Sequence, residues 1–226
     1  MAGSLGLAAL FCGVSYLIGS IPWAYIIVKA VTGQDVTTHG TGNIGAMNVR
    51  RTTGSWGWFT VAMLADALKG IAPVAIAKVL VSGAAPWTAT ASLPFMDALP
   101  VQAAVLGTVL GHNYSIYMAM AKGRFARTGK GLATGGGAVL SYDWRYFAVV
   151  VIVGLTVIAI SKYMMAGQVA AACALPVAAI ALRGPDWPFA LGMGLLVYGA
   201  HHKRFMGLLR GEEPRFYIKD RMGPTG

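Results

Sequence analysis

Residues 56–81 read WGWFTVAMLADALKGIAPVAIAKVLV, an apolar stretch that predicts a membrane helix. A transmembrane helix needs about 20 mostly apolar residues to cross the hydrocarbon core, and this stretch exceeds that length. Asp66 and Lys69 interrupt it about ten residues in, at a spacing that puts both side chains on one helix face. Isolated charges at that depth cost several kcal/mol, so they tend to be paired and interior. The pair either positions the helices or contacts a substrate, and the sequence leaves both interpretations open.

The composition is typical of a protein solvated by lipid. Of 226 residues, 56% are hydrophobic and 12% charged, with a mean hydropathy of +0.62; an average soluble domain has about 25% charged residues. Apolar segments that could cross or deeply enter a bilayer are residues 5–31, 56–81, 99–121, 132–140, 146–160, 164–182 and 187–199. We therefore expect an all-α integral membrane protein with about seven transmembrane or partly membrane-embedded helices, organised as a single domain over residues 1–226. The fourth and fifth segments are short for a full span.

The distribution of lysine and arginine predicts the orientation. These residues gather near residues 50–51, 122–130, 162 and 203–221, whereas the loops between them are nearly bare of basic residues. By the positive-inside rule the basic, glycine-rich loops are cytoplasmic and the N-terminus lies outside. The formal net charge of +10 would suggest nucleic acid in a soluble protein, but charge at segment ends favours anionic lipid and anionic substrates instead.

A glycine-rich constellation follows the first apolar segment: residues 39–51 read HGTGNIGAMNVRR. Gly40, Gly42 and Gly45 spell G-x-G-x-x-G, but a membrane helix precedes them where the dinucleotide fingerprint requires a strand, so we reject a Rossmann site. Glycines still let backbone amides approach an anion, and Arg50 or Arg51 can hold a phosphate through two hydrogen bonds. The alternative is an ordinary flexible loop.

A second constellation runs from Gly111-His112-Asn113-Tyr114 into residues 122–134, KGRFARTGKGLAT. Its end is similar to a Walker A loop, but five residues separate Gly123 from Gly129, and Gly131 replaces the Ser or Thr required after the lysine. The pattern therefore favours an anion-binding loop at a helix N-terminus over a nucleotide triphosphatase. A basic cytoplasmic loop without a ligand would explain the charges but would not need the glycines.

The last constellation, His201-His202-Lys203-Arg204, follows the final apolar segment. His112 and His201 both stand at predicted cytoplasmic ends of segments, so they could converge on one site. A structural hydrogen bond explains a lone histidine equally well. Without an acidic ligand cluster nearby, no metal site is expected. Cys12 and Cys173 lie in apolar stretches without a partner at metal-ligand spacing, so neither a disulfide nor a zinc site is indicated.

These blocks, in this order, resemble the bacterial membrane glycerol-3-phosphate acyltransferases that use acyl phosphate, the PlsY family. The resemblance covers nearly the whole chain. It rests on residues 19–25 (GSIPWAY), on residues 40–51 against G-S-G-N-x-G-A-x-N-x-x-R, on residues 66–70 against D-x-x-K-G, on residues 111–114 and 129–134 against G-H-x-Y and G-K-G-x-A-T, and on His201 with residues 208–213 (LLRGEE).

The resemblance implies transfer of a fatty acyl group from acyl phosphate to the sn-1 hydroxyl of glycerol 3-phosphate, giving lysophosphatidic acid and phosphate. It implies a bacterial plasma membrane protein that uses no cofactor, with membrane lipid around it and no nucleic acid partner; a monomer is expected. Acyl phosphate is a mixed anhydride with a good leaving group, so direct attack by the glycerol hydroxyl needs neither an enzyme nucleophile nor a metal. Another acyl-transfer or phosphate-handling enzyme with a different acceptor is the alternative, followed by an anion transporter.

Positioning and charge are expected to do most of the catalytic work. The predicted catalytic residues are Thr41, Arg51, Lys130 and His201. The predicted substrate-binding residues are Ser20, Gly40, Gly42, Asn43, Gly45, Asn48, Asp66, Lys69, His112, Asn113, Gly129, Gly131, Thr134 and Glu213. His201 is the candidate for orientation or proton handling, with the substrate's own phosphate as an alternative proton acceptor.

The chain departs from the family pattern at several positions. Thr41 and Met47 stand where serine and threonine are common, and residues 122–130 hold a few extra residues in place of a compact K-G-G-K-G loop. Arg204 occupies the usual position of an asparagine, and Gly207 that of an arginine. These departures are consistent with either a divergent member or a paralogue with a changed donor or acceptor.

Overall fold

The structure is a computed structural model that describes residues 2–90, 93–182 and 184–212. These residues form ten α-helices and one 3₁₀ turn, and they contain no strand. The elements are α1 Ala2–Gly19, α2 Trp23–Thr32, the 3₁₀ turn Val36–Thr38, α3 Ala46–Thr53, α4 Trp56–Ser82, α5 Phe95–Asn113, α6 Ile116–Lys122, α7 Leu132–Tyr142, α8 Trp144–Ser161, α9 Met164–Ala181 and α10 Trp187–Leu209. The predicted all-α class is confirmed.

Three helical stretches among the described residues are long and apolar enough to cross a membrane: Gly3–Thr32, Trp144–Ser161 and Met164–Ala181. Large apolar side chains on them are exposed, among them Leu5, Ile152 and Ile160. Exposed leucine and isoleucine along an apolar helix suit lipid rather than water. The number of seven spans stays a prediction.

The predicted segment 5–31 is broken in the structure. α1 ends at Gly19, and α2 begins at Trp23 after Pro22. Proline has no N–H to donate, and its ring disfavours the helical conformation of the preceding residue, Ile21. The predicted apolar segment therefore consists of two helices, since the proline interrupts it.

Two further helices differ from the predicted segments. The segment 99–121 divides into α5 and α6 because Ser115 caps α6, its hydroxyl accepting a hydrogen bond from the backbone N–H of Met118 at 3.2 Å. α3 was not predicted, since eight largely polar residues carry no long apolar pattern. It begins directly after the first glycine-rich loop.

The chain forms two compact units, Met1–Trp144 and Arg145–Gly226. In the first, glycines let helices approach closely: a Cβ added at Gly111 would lie 2.2 Å from the Tyr16 carbonyl oxygen of α1. Between α4 and α7 the fit is reciprocal, because a Cβ at Gly70 would meet the Thr134 carbonyl at 2.1 Å and one at Gly137 the Ala67 carbonyl at 2.2 Å. Small residues at helix crossings are a usual device of membrane proteins.

The second unit contains α9, α10 and nearly all of α8. Gly167 of α9 faces α8, since an added Cβ would lie 2.6 Å from the Gly154 carbonyl oxygen. At the start of α10, Asp186 accepts a 2.7 Å hydrogen bond from the Tyr146 hydroxyl, and both residues are buried. Close packing of helices at a glycine therefore occurs in this unit as well. The single-domain organisation stays a prediction.

Candidate active site

The first glycine-rich loop connects the 3₁₀ turn to α3 and is held by a buried amide. Asn48 donates from Nδ2 to the carbonyl oxygens of Val36 and His39 at 2.9 and 3.0 Å, and its Oδ1 accepts from the Thr41 N–H at 3.3 Å. Because these three hydrogen bonds connect the Asn48 side chain to the backbone of the loop and of the 3₁₀ turn, Asn48 stabilises the conformation of the loop. A substrate contact by Asn48 stays a prediction.

The close approach of Asn48 explains one glycine of the loop. Gly40 has a φ of +54°, and a Cβ there would lie 2.3 Å from the Asn48 Oδ1. Gly42 has a φ of +66°, which also places it in the left-handed region. The predicted need for glycine at both positions thus has a geometric cause.

The two arginines of α3 have different surroundings. Arg50 lies over the indole of Trp56, with its Cζ 3.7 Å from the ring centre, a cation–π contact. The Cδ of Arg51 would lie 3.2 Å from a Cβ at Gly40, so Arg51 runs beside the glycine-rich loop. The predicted residue Arg51 therefore lies beside the loop, whereas Arg50 packs on Trp56; the role of Arg51 as a phosphate ligand stays a prediction.

The second glycine-rich loop packs against the end of α5. A Cβ at Gly129 would lie 2.3 Å from the His112 Nε2, and Gly131, with a φ of +75°, would place its Cβ 3.0 Å from the Asn113 Oδ1. Gly131 is also the residue before α7, so Lys130 stands at the N-terminus of that helix. The predicted residues His112, Asn113, Gly129, Lys130 and Gly131 therefore come together.

The side-chain oxygen of Asn113 is a buried hydrogen-bond acceptor that receives no donor from the described residues. The residue is 2% exposed, and its Oδ1 has no hydrogen-bond partner among the described residues. A buried amide oxygen without a donor costs free energy unless a ligand or water supplies one. This oxygen faces Gly131, at the loop where Lys130 lies.

A buried polar network supports the loops. Asp66 and Lys69 form an ion pair at 2.9 Å, and the Lys69 ammonium also donates to the Ile21 carbonyl at 2.7 Å. The His112 Nδ1 lies 3.8 Å from the Asp66 Oδ1 and 3.1 Å from the Thr134 hydroxyl. All four side chains are buried. The bond to Ile21, where α1 gives way to α2, supports the interpretation in which the Asp66–Lys69 pair positions the helices.

Ser20 belongs to a helix junction. It is fully buried, its carbonyl accepts from the Ser115 hydroxyl at 2.5 Å, and its own hydroxyl lies 3.5 Å from the Ile116 nitrogen. These contacts connect the end of α1 to the start of α6. Its predicted contact with substrate stays a prediction.

A backbone hydrogen bond joins the two glycine-rich loops: the Ile44 N–H donates to the Thr128 carbonyl oxygen at 2.9 Å. Standard backbone dimensions then place the Cα atoms of Asn43 and Lys130 no more than about 18 Å apart. Thr41 and Arg51 are exposed, while Asn43 and Lys130 are half-buried. The more accessible predicted residues thus come from both loops.

An ion pair makes a second connection between these parts of the chain. Lys122, at the end of α6, pairs with Asp35 before the 3₁₀ turn. Partial burial raises the pKa of the Asp35 carboxyl, but hydrogen bonds from Lys122 and Thr37 outweigh it and hold the pKa at about 2. Asp35 is therefore ionised throughout the neutral range.

The remaining predicted residues are His201 and Glu213. His201 is buried on α10 in the second unit, where its Nδ1 lies 2.8 Å from the Val197 carbonyl oxygen. Glu213 lies outside the described residues. Both assignments stay predictions from the sequence.

Lys78, near the opposite end of α4 from Trp56, was not predicted to be important. Its side chain is fully buried, and its ammonium donates to the carbonyls of Pro86 at 3.1 Å, Thr88 at 2.6 Å and Tyr142 at 3.0 Å, as well as to that of Ser141. A lysine inside an apolar segment was the available signal. Its partners are backbone carbonyls, which no side-chain motif reveals.

The fold and these loops define a class: a helical integral membrane protein with joined glycine-rich, basic loops. A family profile described as glycerol-3-phosphate acyltransferase matches residues 9–211. The chain belongs to the glycerol-3-phosphate acyltransferase family.

Curated relatives agree over nearly the full length. The glycerol-3-phosphate acyltransferase of Desulforudis audaxviator is 33% identical, covering 93% of this chain and 96% of its own. One from Thermus thermophilus is 35% identical, covering 89% and 92% respectively. The crystal structure of PlsY (YgiH), an integral membrane glycerol 3-phosphate acyltransferase, in its glycerol 3-phosphate form is 26% identical with a TM-score of 0.75, covering 93% of this chain and 96% of that one. A lysophosphatidic acid form of PlsY gives a TM-score of 0.72 at 25% identity, covering 93% and 95%.

Proposed function

We propose that this protein transfers a fatty acyl group from an acyl phosphate to the sn-1 hydroxyl of glycerol 3-phosphate, giving lysophosphatidic acid and inorganic phosphate. Family membership supports the acyltransferase activity. The solved relative has glycerol 3-phosphate and lysophosphatidic acid forms, which correspond to the proposed acceptor and product. The observation that carries the site is the 2.9 Å hydrogen bond between Ile44 and Thr128, because it joins two loops that each suit a phosphate.

The proposed reaction is a direct displacement at the acyl carbon. The hydroxyl oxygen forms the new ester bond, the bond from the acyl carbon to the phosphate oxygen breaks, and the hydroxyl proton leaves with the phosphate. Arg51 and Lys130 stabilise the negative charge of the phosphates and of the departing group. The backbone amides of the glycine-rich loops, together with the side chains of Thr41 and Asn43, orient the phosphate groups of both substrates. The Oδ1 of Asn113, which has no hydrogen-bond partner among the described residues, can accept a hydrogen bond from a hydroxyl of glycerol 3-phosphate.

The proposed setting is a bacterial plasma membrane, with the joined loops on the cytoplasmic side and the N-terminus outside. The basic residues in and beside these loops support this orientation by the positive-inside rule. The exposed apolar surface of α1 allows the acyl chain to remain in lipid while its phosphate reaches the loops.

Replacing Lys130 tests the site assignment. Purified protein receives palmitoyl phosphate with and without glycerol 3-phosphate, and released phosphate is measured for wild type, Lys130→Ala and Lys29→Ala. Lys29 is the matched control, an exposed lysine whose ammonium donates to the Gly33 carbonyl at 2.8 Å. Loss of a charge-stabilising group predicts a fall of about 100-fold or more in kcat for Lys130→Ala. Equal activity of the two variants would remove Lys130 from the site.

A further inference from the structure

Thr128 uses all of its polar groups to connect three parts of the chain. Its backbone N–H donates to the Asn113 carbonyl at 2.8 Å, and its carbonyl accepts from the Ile44 N–H at 2.9 Å. Its hydroxyl oxygen lies 3.1 Å from the His112 carbonyl oxygen and 3.3 Å from that of Asn113. The same oxygen accepts from the Ser115 N–H at 3.3 Å. Thr128 therefore contacts the end of α5, the start of α6 and the first glycine-rich loop.

The Thr128 hydroxyl supplies a hydrogen-bond donor to the C-terminal end of α5. The last four carbonyls of an α-helix have no partner within the helix and must find donors elsewhere. His112 and Asn113 are the last two residues of α5, and Thr128 supplies both an O–H and an N–H to their carbonyls. A residue distant in sequence thus caps the helix that carries two predicted substrate-binding residues.

The position of Thr128 in the chain couples this cap to the glycine-rich loops. Gly129, the next residue, lies against the His112 ring, and Lys130 follows it. On the other side, the Thr128 carbonyl holds Ile44, which adjoins Asn43. A shift of Thr128 would therefore move both loops relative to α5.

We propose that Thr128 is a positioning residue whose hydroxyl fixes the two joined glycine-rich loops against the end of α5 and so holds their phosphate ligands in position relative to His112 and Asn113. This inference rests on the proposed function. Thr128 lies in the segment 122–130, which is longer than the family's compact loop. A longer loop has more conformations to lose on ordering, so a fixed attachment to α5 and to Ile44 offsets that added freedom.

Three variants separate the hydroxyl from the shape of the residue. Thr128→Val keeps the branched shape and loses the hydroxyl, whereas Thr128→Ser keeps the hydroxyl. The control is Thr60→Val, because the Thr60 hydroxyl only donates to the carbonyl of Trp56 within α4, at 3.0 Å. For each purified variant, kcat and the KM values for acyl phosphate and glycerol 3-phosphate are measured, together with thermal unfolding and amide hydrogen exchange.

Because a small misplacement of reacting groups carries a large rate penalty, Thr128→Val is expected to lower kcat by about tenfold. Both KM values rise, since both loops lose their fixed position against α5, while Thr128→Ser and Thr60→Val stay within about twofold of wild type. Amide exchange becomes faster in both residues 39–45 and residues 123–131. A purely local role would raise the KM for only one substrate and the exchange of only one loop, and that pattern would overturn the proposal.

The exchange measurement keeps this proposal separate from the proposed function. If the wild-type protein showed no acceptor-dependent turnover, the proposed acyltransferase reaction would be rejected, and with it the catalytic role of Thr128. Normal turnover of Thr128→Val with unchanged exchange in both loops would reject the positioning role alone. Failure of Thr128→Ser to restore activity would also overturn it, because the hydroxyl would then not be the group that matters.

Discussion

Gly129→Ala probes the contact between the second glycine-rich loop and α5. The added Cβ would lie 2.3 Å from the His112 Nε2, 2.4 Å from its Cδ2 and 2.8 Å from its carbonyl oxygen. Non-bonded heavy atoms attract best at about 3.5 Å or more, so the ring or the loop must move by about 1 Å. The ring cannot move freely, because its Nδ1 lies 3.1 Å from the buried hydroxyl of Thr134.

The expected consequences follow from that displacement. Overpacking costs about 1–3 kcal/mol of stability, and a displacement of about 1 Å at a reacting site can lower the rate by about 100-fold. The assay is acceptor-dependent phosphate release, with thermal unfolding measured on the same preparation. Gly13→Ala is the control, since its added Cβ would meet nothing within 4 Å and its φ is not positive. Full activity of Gly129→Ala would refute the placement of this loop against His112.

Three further predictions concern charged residues. Arg51→Ala is expected to lower kcat in the phosphate-release assay by about 100-fold, because a charge-stabilising group is lost. Arg50→Ala loses a cation–π contact worth about 1 kcal/mol and keeps most activity in the same assay. A larger loss of activity in Arg50→Ala than in Arg51→Ala would contradict the loop geometry. Asp35→Asn removes the exposed ion pair with Lys122, worth about 1 kcal/mol or less. Because the folded pKa of Asp35 is depressed to about 2, that contribution is present above about pH 4, the pKa of a free aspartate, and is lost as pH falls through the folded value, so wild type and variant should differ in thermal unfolding at pH 7 and converge near pH 2. Lys78→Met leaves four carbonyls without their ammonium and should cost about 3–5 kcal/mol, seen as a lower unfolding temperature with unchanged kcat per folded molecule; an unchanged temperature would contradict the buried cluster.

Helix positions were predictable where apolar length alone decides them. The segment 56–81 corresponds to α4, Trp56–Ser82, and the segment 164–182 to α9, Met164–Ala181. α10 runs past residue 199 to Leu209, because a helix continues into polar residues that a hydropathy pattern excludes. The apolar pattern therefore locates the helices better than their ends.

Breaks in helices required local chemistry. Pro22 was visible in the sequence, yet the apolar run around it suggested continuity. The separation of α5 from α6 depends on Ser115, whose hydroxyl caps α6 and donates to Ser20, a residue 95 positions away. A hydropathy pattern contains neither contact.

The candidate site was predictable at the level of its loops. The glycines and basic residues pointed to residues 39–51 and 122–134, and the structure joins them. The residue types of the first loop leave Arg50 and Arg51 open, and Arg51 is predicted as the catalytic residue together with the family resemblance; the contact of Arg50 with the ring of Trp56 is visible only in the structure. The sequence also did not reveal Thr128, because its partners are backbone groups brought together only by the fold.

The central claim is that acyl phosphate donates its acyl group directly to glycerol 3-phosphate. The most direct measurement supplies wild-type protein with palmitoyl phosphate and glycerol 3-phosphate and quantifies lysophosphatidic acid and inorganic phosphate over time. Equal amounts of the two products, both dependent on the acceptor, are predicted. Phosphate release without lysophosphatidic acid, or no release by folded protein, would contradict the claim and direct attention to a different donor or acceptor.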